Sequence, residues 1–312
     1  MTTAATSSAP STTADYMGFV GVTTASSSIM KVFPLWADIL GLPTRTLVGH
    51  DLPMDADPAQ YRALVEQIRD DPHHRGALVT THKMNVYAAA SDLFDELDDF
   101  ARACGEVSSI AKRDGLLLGH AKDPITAGLA LAELVAADAF AGERDAIVLG
   151  AGGAGLALTW CLAERADRPR RIVVTDTSRE RLDHLAAVHA ARGTDPVLLT
   201  LVDASETRGV LEEAPPGSLV VNASGLGKDR PGSPVADDAR FPERAVVWEF
   251  NYRGSLEFLA QARAQQAERA LVVADGWRYF IHGWTQVIGE VFQVAMTPDV
   301  VERLAAAAEV HR

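Results

Sequence analysis

The sequence is poor in cysteine, in basic residues and in long apolar runs, and each shortage removes a class of function. Only Cys104 and Cys161 occur in 312 residues, with no CxxC and no paired Cys/His spacing. A disulfide framework and a structural zinc site are thereby without support, and a metal-free protein in a reducing cytoplasm is expected. Lys and Arg number 29 against 42 Asp and Glu, a formal charge of −13, and no long basic run breaks the excess. Such a surface repels a phosphate backbone or an anionic bilayer, so neither nucleic acid nor membrane is expected as a partner. A run of about 18 apolar residues, which spanning a bilayer requires, is nowhere found. The opening MTTAATSSAPSTTAD has no basic segment leading into an apolar one, unlike a secretory signal. Residues 1 to 15 are expected to be a flexible tail, too poor in apolar surface to offset the entropy of ordering.

What remains is 47% apolar and 23% charged, the composition of a folded protein, long enough for two domains. Apolar runs alternate with helical patterns. YMGFVGV, TRTLVGHDL and GALVTTH read as strands, while IMKVFPLWADILGL, AQYRALVEQIRD and MNVYAAASDLFDEL read as helices, with Pro34 assigned to a first turn. VSSIAKRDGLLLGHA is different: two short apolar runs flank Arg113-Asp114-Gly115, which predicts a hairpin bringing Ser108 and Ser109 near His120 and Lys122. After the helical ITAGLALAELVAADAF, strands recur at AIVLG, RRIVVTD, LLTLVD, SLVVNAS, AVVWEFNY and ALVVADG. The alternation predicts mostly parallel sheets covered by helices.

Gly150-Ala151-Gly152-Gly153-Ala154-Gly155 satisfies GxGxxG between a strand and a helix. Glycine there permits a tight turn and close approach of a diphosphate to free amides at the helix start. Asp176, 21 residues past Gly155, ends the next strand, where a carboxylate accepts from an adenosine ribose and repels a 2′-phosphate. NAD is therefore expected before NADP, with Arg179 and then Arg181 as the opposing sign.

Lys83 and Asp123 each follow a strand and open a helix, so both are expected at strand C-terminal edges, where open α/β sheets place ligands. An amine beside a carboxylate can pass a proton to or from a hydroxyl while a nicotinamide exchanges hydride. An ordinary ion pair or a helix-capping aspartate is the plainer alternative.

From about Tyr16 to the C-terminus the chain resembles the shikimate and quinate dehydrogenase family. Ser26-Ser27-Ser28 is similar to its substrate-gripping serine pair, assigned to Ser26 and Ser28. GALVTTHK, with Thr80, is similar to its N-V-T-x-P-x-K, CGEVSSI, with Ser108, to its G-A-x-N-T, and GHAKD to its N-T-D. GAGGAG matches the nucleotide turn, VVNASGLG (Asn222, Ser224) a cofactor segment, WEFNY (Tyr252) a substrate neighbour, and DGWRYFIHG the terminal helix. The resemblance implies an N-terminal α/β substrate domain, residues 16–123 with 276–312, and a Rossmann-type dinucleotide-binding domain, residues 124–275, with a hinged cleft between them. It implies Lys83 and Asp123 as the catalytic pair, and a homodimer.

The departures cluster at the substrate. The family's asparagine is Leu78 and its proline is missing; Ser108, Ala121 and Lys122 replace further polar positions, and Gly283 replaces the terminal glutamine, with Gln286 as a stand-in one turn later. Each buried polar ligand group left unpaired costs ~1 to 3 kcal/mol, so the altered positions predict a substrate preference displaced from shikimate. His82 and His120 are further pocket-lining candidates. The expected activity is an NAD(P)-dependent dehydrogenase acting on a ring hydroxyl or ketone of a cyclohexane-like polyol or hydroxy acid. A ligand-binding sensor without turnover, or an amino-acid or aminoquinate dehydrogenase, are the rival readings.

Overall fold

The computed structural model describes residues 14–228 and 230–312. The expected tail therefore lies, as far as residue 13, outside the described residues. Asp15 is already tied into the fold: its carbonyl accepts the Thr44 hydroxyl at 2.6 Å and its carboxylate pairs with Arg75 at 3.2 Å.

The first half runs β1 (Tyr16–Gly21), α1 (Ile29–Leu40), β2 (Leu47–Asp51), α2 (Pro58–Asp70), β3 (His74–Val79), α3 (Lys83–Ala90), β4 (Glu96–Leu97), α4 (Asp99–Cys104), β5 (Ser109–Arg113), β6 (Leu116–His120) and α5 (Asp123–Leu134). The second runs β7 (Ala146–Leu149), α6 (Gly153–Glu164), β8 (Ile172–Asp176), α7 (Arg179–Ala191), β9 (Leu199–Asp203), α8 (Thr207–Glu213), β10 (Leu219–Asn222), β11 (Val246–Glu249), α9 (Glu257–Arg269) and β12 (Val272–Ala274), followed by α10 (Trp277–Phe292) and α11 (Pro298–Ala308).

Among the described residues these strands form two six-stranded sheets, ordered β2-β1-β3-β5-β6-β4 and β12-β11-β10-β7-β8-β9. The second is parallel throughout, and its order reverses between β7 and β10, the switch point at which such sheets open a crevice. Apolar residues on both faces explain why: Ala146 and Val148 of β7 enter one core, Ile147 and Leu149 the other. The first sheet is mixed. Its β5–β6 hairpin is antiparallel, and the turn is made by Asp114 and Gly115 at φ 52° and 81°.

The chain returns to the first sheet at its end. Helix α10 packs on β3 and β5 and on α5, which packs in turn on α6 of the second sheet. Two expected helices differ in detail. Pro34 lies inside α1 rather than in its first turn, and the helix expected through Leu97 ends at Ala90, because Glu96 and Leu97 pair as β4 with β6. No described helix is long and apolar enough to cross a membrane.

Candidate active site between the two sheets

The two cleft residues are set by strand ends. β3 stops at Val79, and the turn that follows is pinned by buried His82, whose ring bonds the Tyr61 hydroxyl at 3.0 Å and the Leu52 carbonyl at 2.9 Å. His82 is thus an anchor, not the pocket-lining residue expected. Lys83 then opens α3, and Asp123 opens α5 directly after β6. The Lys83 ammonium donates to Asp123 Oδ2. Between them the hairpin sets Ser108, whose amide donates to the His120 carbonyl at 2.9 Å and whose Oγ accepts the Lys122 amide at 2.7 Å. His120 itself turns toward Glu290, 3.5 Å away, so it too is a neighbour of the site and not part of its wall.

Burial alone would lower the Lys83 amine, but the Asp123 carboxylate, joined by Glu106 once that group ionises, outweighs it and holds the amine above its ordinary range. Burial, then Asp123, push Glu106 up to about 8, with Lys83 opposing. The site at neutral pH therefore holds a charged ammonium and, beside it, an acid that keeps its proton.

Two cavities meet at Lys83. The smaller, about 130 Å³, is walled by Leu78, Phe280, Trp284 and Val287, with Thr80, Ser108 and Asp123 as polar points. Tyr252 also lines it, its hydroxyl 3.0 Å from that of Ser27. Here the serine assignment needs correction. Ser26 is exposed with its hydroxyl on the Thr23 carbonyl, and Ser28 sits at the start of α1, so Ser27 is the serine that turns inward. Tyr279, Phe280, Gly283, Trp284 and Val287 are the α10 positions on the wall, and Gln286 is not among them.

The larger cavity, about 350 Å³, is lined by Gly152, Gly153 and Ala154 of the glycine turn. Its geometry fits a dinucleotide. Gly150 has φ 120°, and a Cβ there would lie 2.6 Å from the Ser224 amide; a Cβ on Gly155 would overlap the Gly150 carbonyl. No side chain caps α6, which leaves its first amides to a ligand, and nothing lies within 4 Å of the space a Gly152 side chain would enter. Asp176 ends β8 as expected, its two oxygens accepting the Ala151 and Ser178 amides at 2.8 Å each.

Three cofactor assignments fall differently. Asn222 is buried and holds Glu249 at 2.7 Å and Ser224 at 2.7 Å, so both Asn222 and Ser224 shape the loop after β10 while Ala223 and Gly225 line the cavity. Arg179 is exposed and paired with Asp183 at 2.7 Å; Arg181, two residues on, is the arginine at the cavity. Sequence reasoning missed Glu106, although an acid in a motif otherwise built of small residues was a visible signal. Tyr279 lines both cavities with its hydroxyl buried and unpartnered.

No family model matches the chain. Shikimate dehydrogenase (NADP(+)) of Symbiobacterium thermophilum is 31% identical over 233 residues, covering 73% of this chain and 74% of that one. The chain belongs to the shikimate dehydrogenase family. A second shikimate dehydrogenase, from Sphingopyxis alaskensis, is 30% identical over 282 residues, 90% of this chain and 91% of its own. Solved structures of the family share the two-domain α/β fold. Quinate dehydrogenase of Corynebacterium glutamicum, in complex with NAD, superposes with a TM-score of 0.70 at 21% identity, over 94% of this chain and 98% of that one. Shikimate 5-dehydrogenase of Thermus thermophilus, in complex with NADP(H) and shikimate, gives 0.69 at 24% identity, over 94% and 99%.

Proposed function

We propose that this shikimate dehydrogenase family member transfers hydride between a nicotinamide dinucleotide and a ring hydroxyl or ketone of a cyclohexane-like hydroxy acid or polyol. The observation that carries the reading is the Lys83–Asp123 pair at the junction of a small cavity and a larger one bounded by the glycine turn. The dinucleotide, seated on the glycine turn, supplies or accepts the hydride. Lys83, held protonated, gives a proton to the substrate oxygen in the reducing direction and takes it back in the oxidising one; Asp123 orients the amine and stabilises its charge. Both need a reacting oxygen within hydrogen-bond reach, which the shared wall of the smaller cavity provides. A pure binding protein has no use for such a pair.

The domain assignment follows: residues 16–123 with 276–312 hold the substrate and 124–275 the dinucleotide, with closure at the two crossings. Ser27 and Tyr252 form the carboxylate-binding end. Leu78 and Gly283 on this wall stand where the family's asparagine and glutamine are expected, which favours a substrate with fewer ring hydroxyls than shikimate. Asp176 beside the glycine turn favours NAD, since a 2′-phosphate would meet its carboxylate. Arg181 is the group that would answer such a phosphate, and the relatives named for NADP(+) keep that comparison worth making directly.

A panel of cyclic hydroxy acids and cyclitols, with the matching ketones, scanned with each dinucleotide for a change in nicotinamide absorbance, tests the reading. Turnover of at least one member with the Lys83-dependent pair intact is expected, with NAD preferred. A panel without turnover, from protein that binds both ligands, would sink it.

A further inference from the structure

Glu106 is a buried acid with nothing to bond. It follows α4 through the left-handed Gly105, is 1% exposed, and neither Oε1 nor Oε2 has a hydrogen-bond partner. It lines the larger cavity with Gly152 and Gly153 and is absent from the wall of the smaller one. A Cβ on Gly153 would overlap Glu106 Oε2, so the carboxyl lies on the first residue of α6. Two separate features thus converge: a 12-residue helix whose start no side chain caps, and an unpartnered buried acid aimed at it. An ionised carboxylate at that point and an incoming diphosphate would repel each other at short range in a cleft of low dielectric. A neutral carboxyl can instead donate to a phosphate or ribose oxygen.

We propose that Glu106 gates the dinucleotide by its proton: the cofactor binds the protein whose Glu106 is a neutral acid, which donates to a cofactor oxygen, so that binding takes up a proton. The proposal rests on the dinucleotide seat assigned above. The surroundings agree with it. Lys83 of α3 and Asp123 of α5 face Glu106 but are engaged with each other, and Asp98 accepts the Ala101 and Ala121 amides at 2.7 and 3.1 Å. Cys104 of α4 and Tyr279 of α10 are both pushed up, by burial first and by acids that include Glu106, and remain neutral. Arg181 and Lys228 line the same cavity and attract the diphosphate. Burial and Asp123 already place Glu106 at about 8, and a diphosphate beside it raises the group further.

Calorimetric titration with NADH, which lacks a 2′-phosphate, in buffers of different ionisation enthalpy near pH ~8.5 counts the protons directly. Uptake of most of one proton is expected, and affinity that falls about tenfold from pH ~7 to ~9. Glu106→Gln should bind NADH with no uptake and a flat pH profile; Glu106→Ala, also neutral, serves if the glutamine does not fold. Wild-type binding without proton uptake, or the same uptake in either variant, overturns the assignment of Glu106 alone. An absence of NADH binding at every pH overturns the seat with it.

Discussion

Tyr252 lies against Trp277 and Phe280, ring centroids 5.5 and 4.4 Å away, with its hydroxyl on Ser27. Aromatic packing fixes the ring, so Tyr252→Phe removes one hydroxyl and little else. Loss of a single bond to a charged substrate group is worth ~1.5 to 3 kcal/mol, so KM should rise roughly ten- to hundredfold with kcat nearly unchanged. Steady-state kinetics on the accepted substrate checks this; an equal fall in kcat with KM constant would place Tyr252 at the reacting centre instead. The neighbouring serines show where the sequence stops being legible. Three consecutive serines lie in the turn before a helix, and only the fold of that turn against its surroundings decides that Ser27 faces inward. Lys83 and Asp123 were readable because both stand at strand-to-helix turns, whose direction the pattern does fix.

At the scale of elements, the glycine turn separates two kinds of glycine. Gly150 is demanded by the fold: its φ of 120° and the loop at Ala223 and Ser224 forbid a side chain. Gly152 is demanded only by a ligand, since its φ is −77° and a Cβ would stand in open space within the larger cavity. Gly150→Ala should therefore lose ~1 to 3 kcal/mol of stability. Gly152→Ala should melt with wild type and bind NADH more weakly. Thermal melts with NADH titrations of both variants distinguish these outcomes, and a Gly152→Ala that binds NADH like wild type would move the diphosphate elsewhere. The strand and helix alternation and the Asp-Gly hairpin were legible, being local patterns. The brief β4 was not, since its two residues pair only because β6 lies beside them. Asn222 and Ser224 were read as ligand contacts because nothing local reveals that Glu249 draws Asn222 inward.

Across the whole molecule, two buried acids set the response to mildly alkaline pH, where histidines that burial holds down, His74 to about 3 and His189 to about 4, are neutral whether folded or not. Burial raises Glu106 to about 8 and Glu249 to about 7, both above the ordinary 4.5. A carboxyl raised in the folded state stabilises it below pH ~4.5 and loses that contribution as pH rises through the folded value. Glu133 and Glu290 have the opposite sign: their burial is outweighed by Arg278 and His282 for the one and by Lys122 for the other, and their contribution is lost as pH falls. Thermal midpoints should therefore decline from pH ~7.5 to ~9, less steeply in Glu106→Gln, and a midpoint that rises over that range would contradict the assignment.

The central claim is that Lys83 moves the proton that accompanies hydride transfer. It is tested most directly by the single-turnover rate of NADH oxidation with the accepted cyclic ketone, compared between wild type and Lys83→Met. Removing a positioned proton donor should slow that step by roughly 10² to 10⁴ while NADH still binds. An unchanged rate in Lys83→Met would contradict the account.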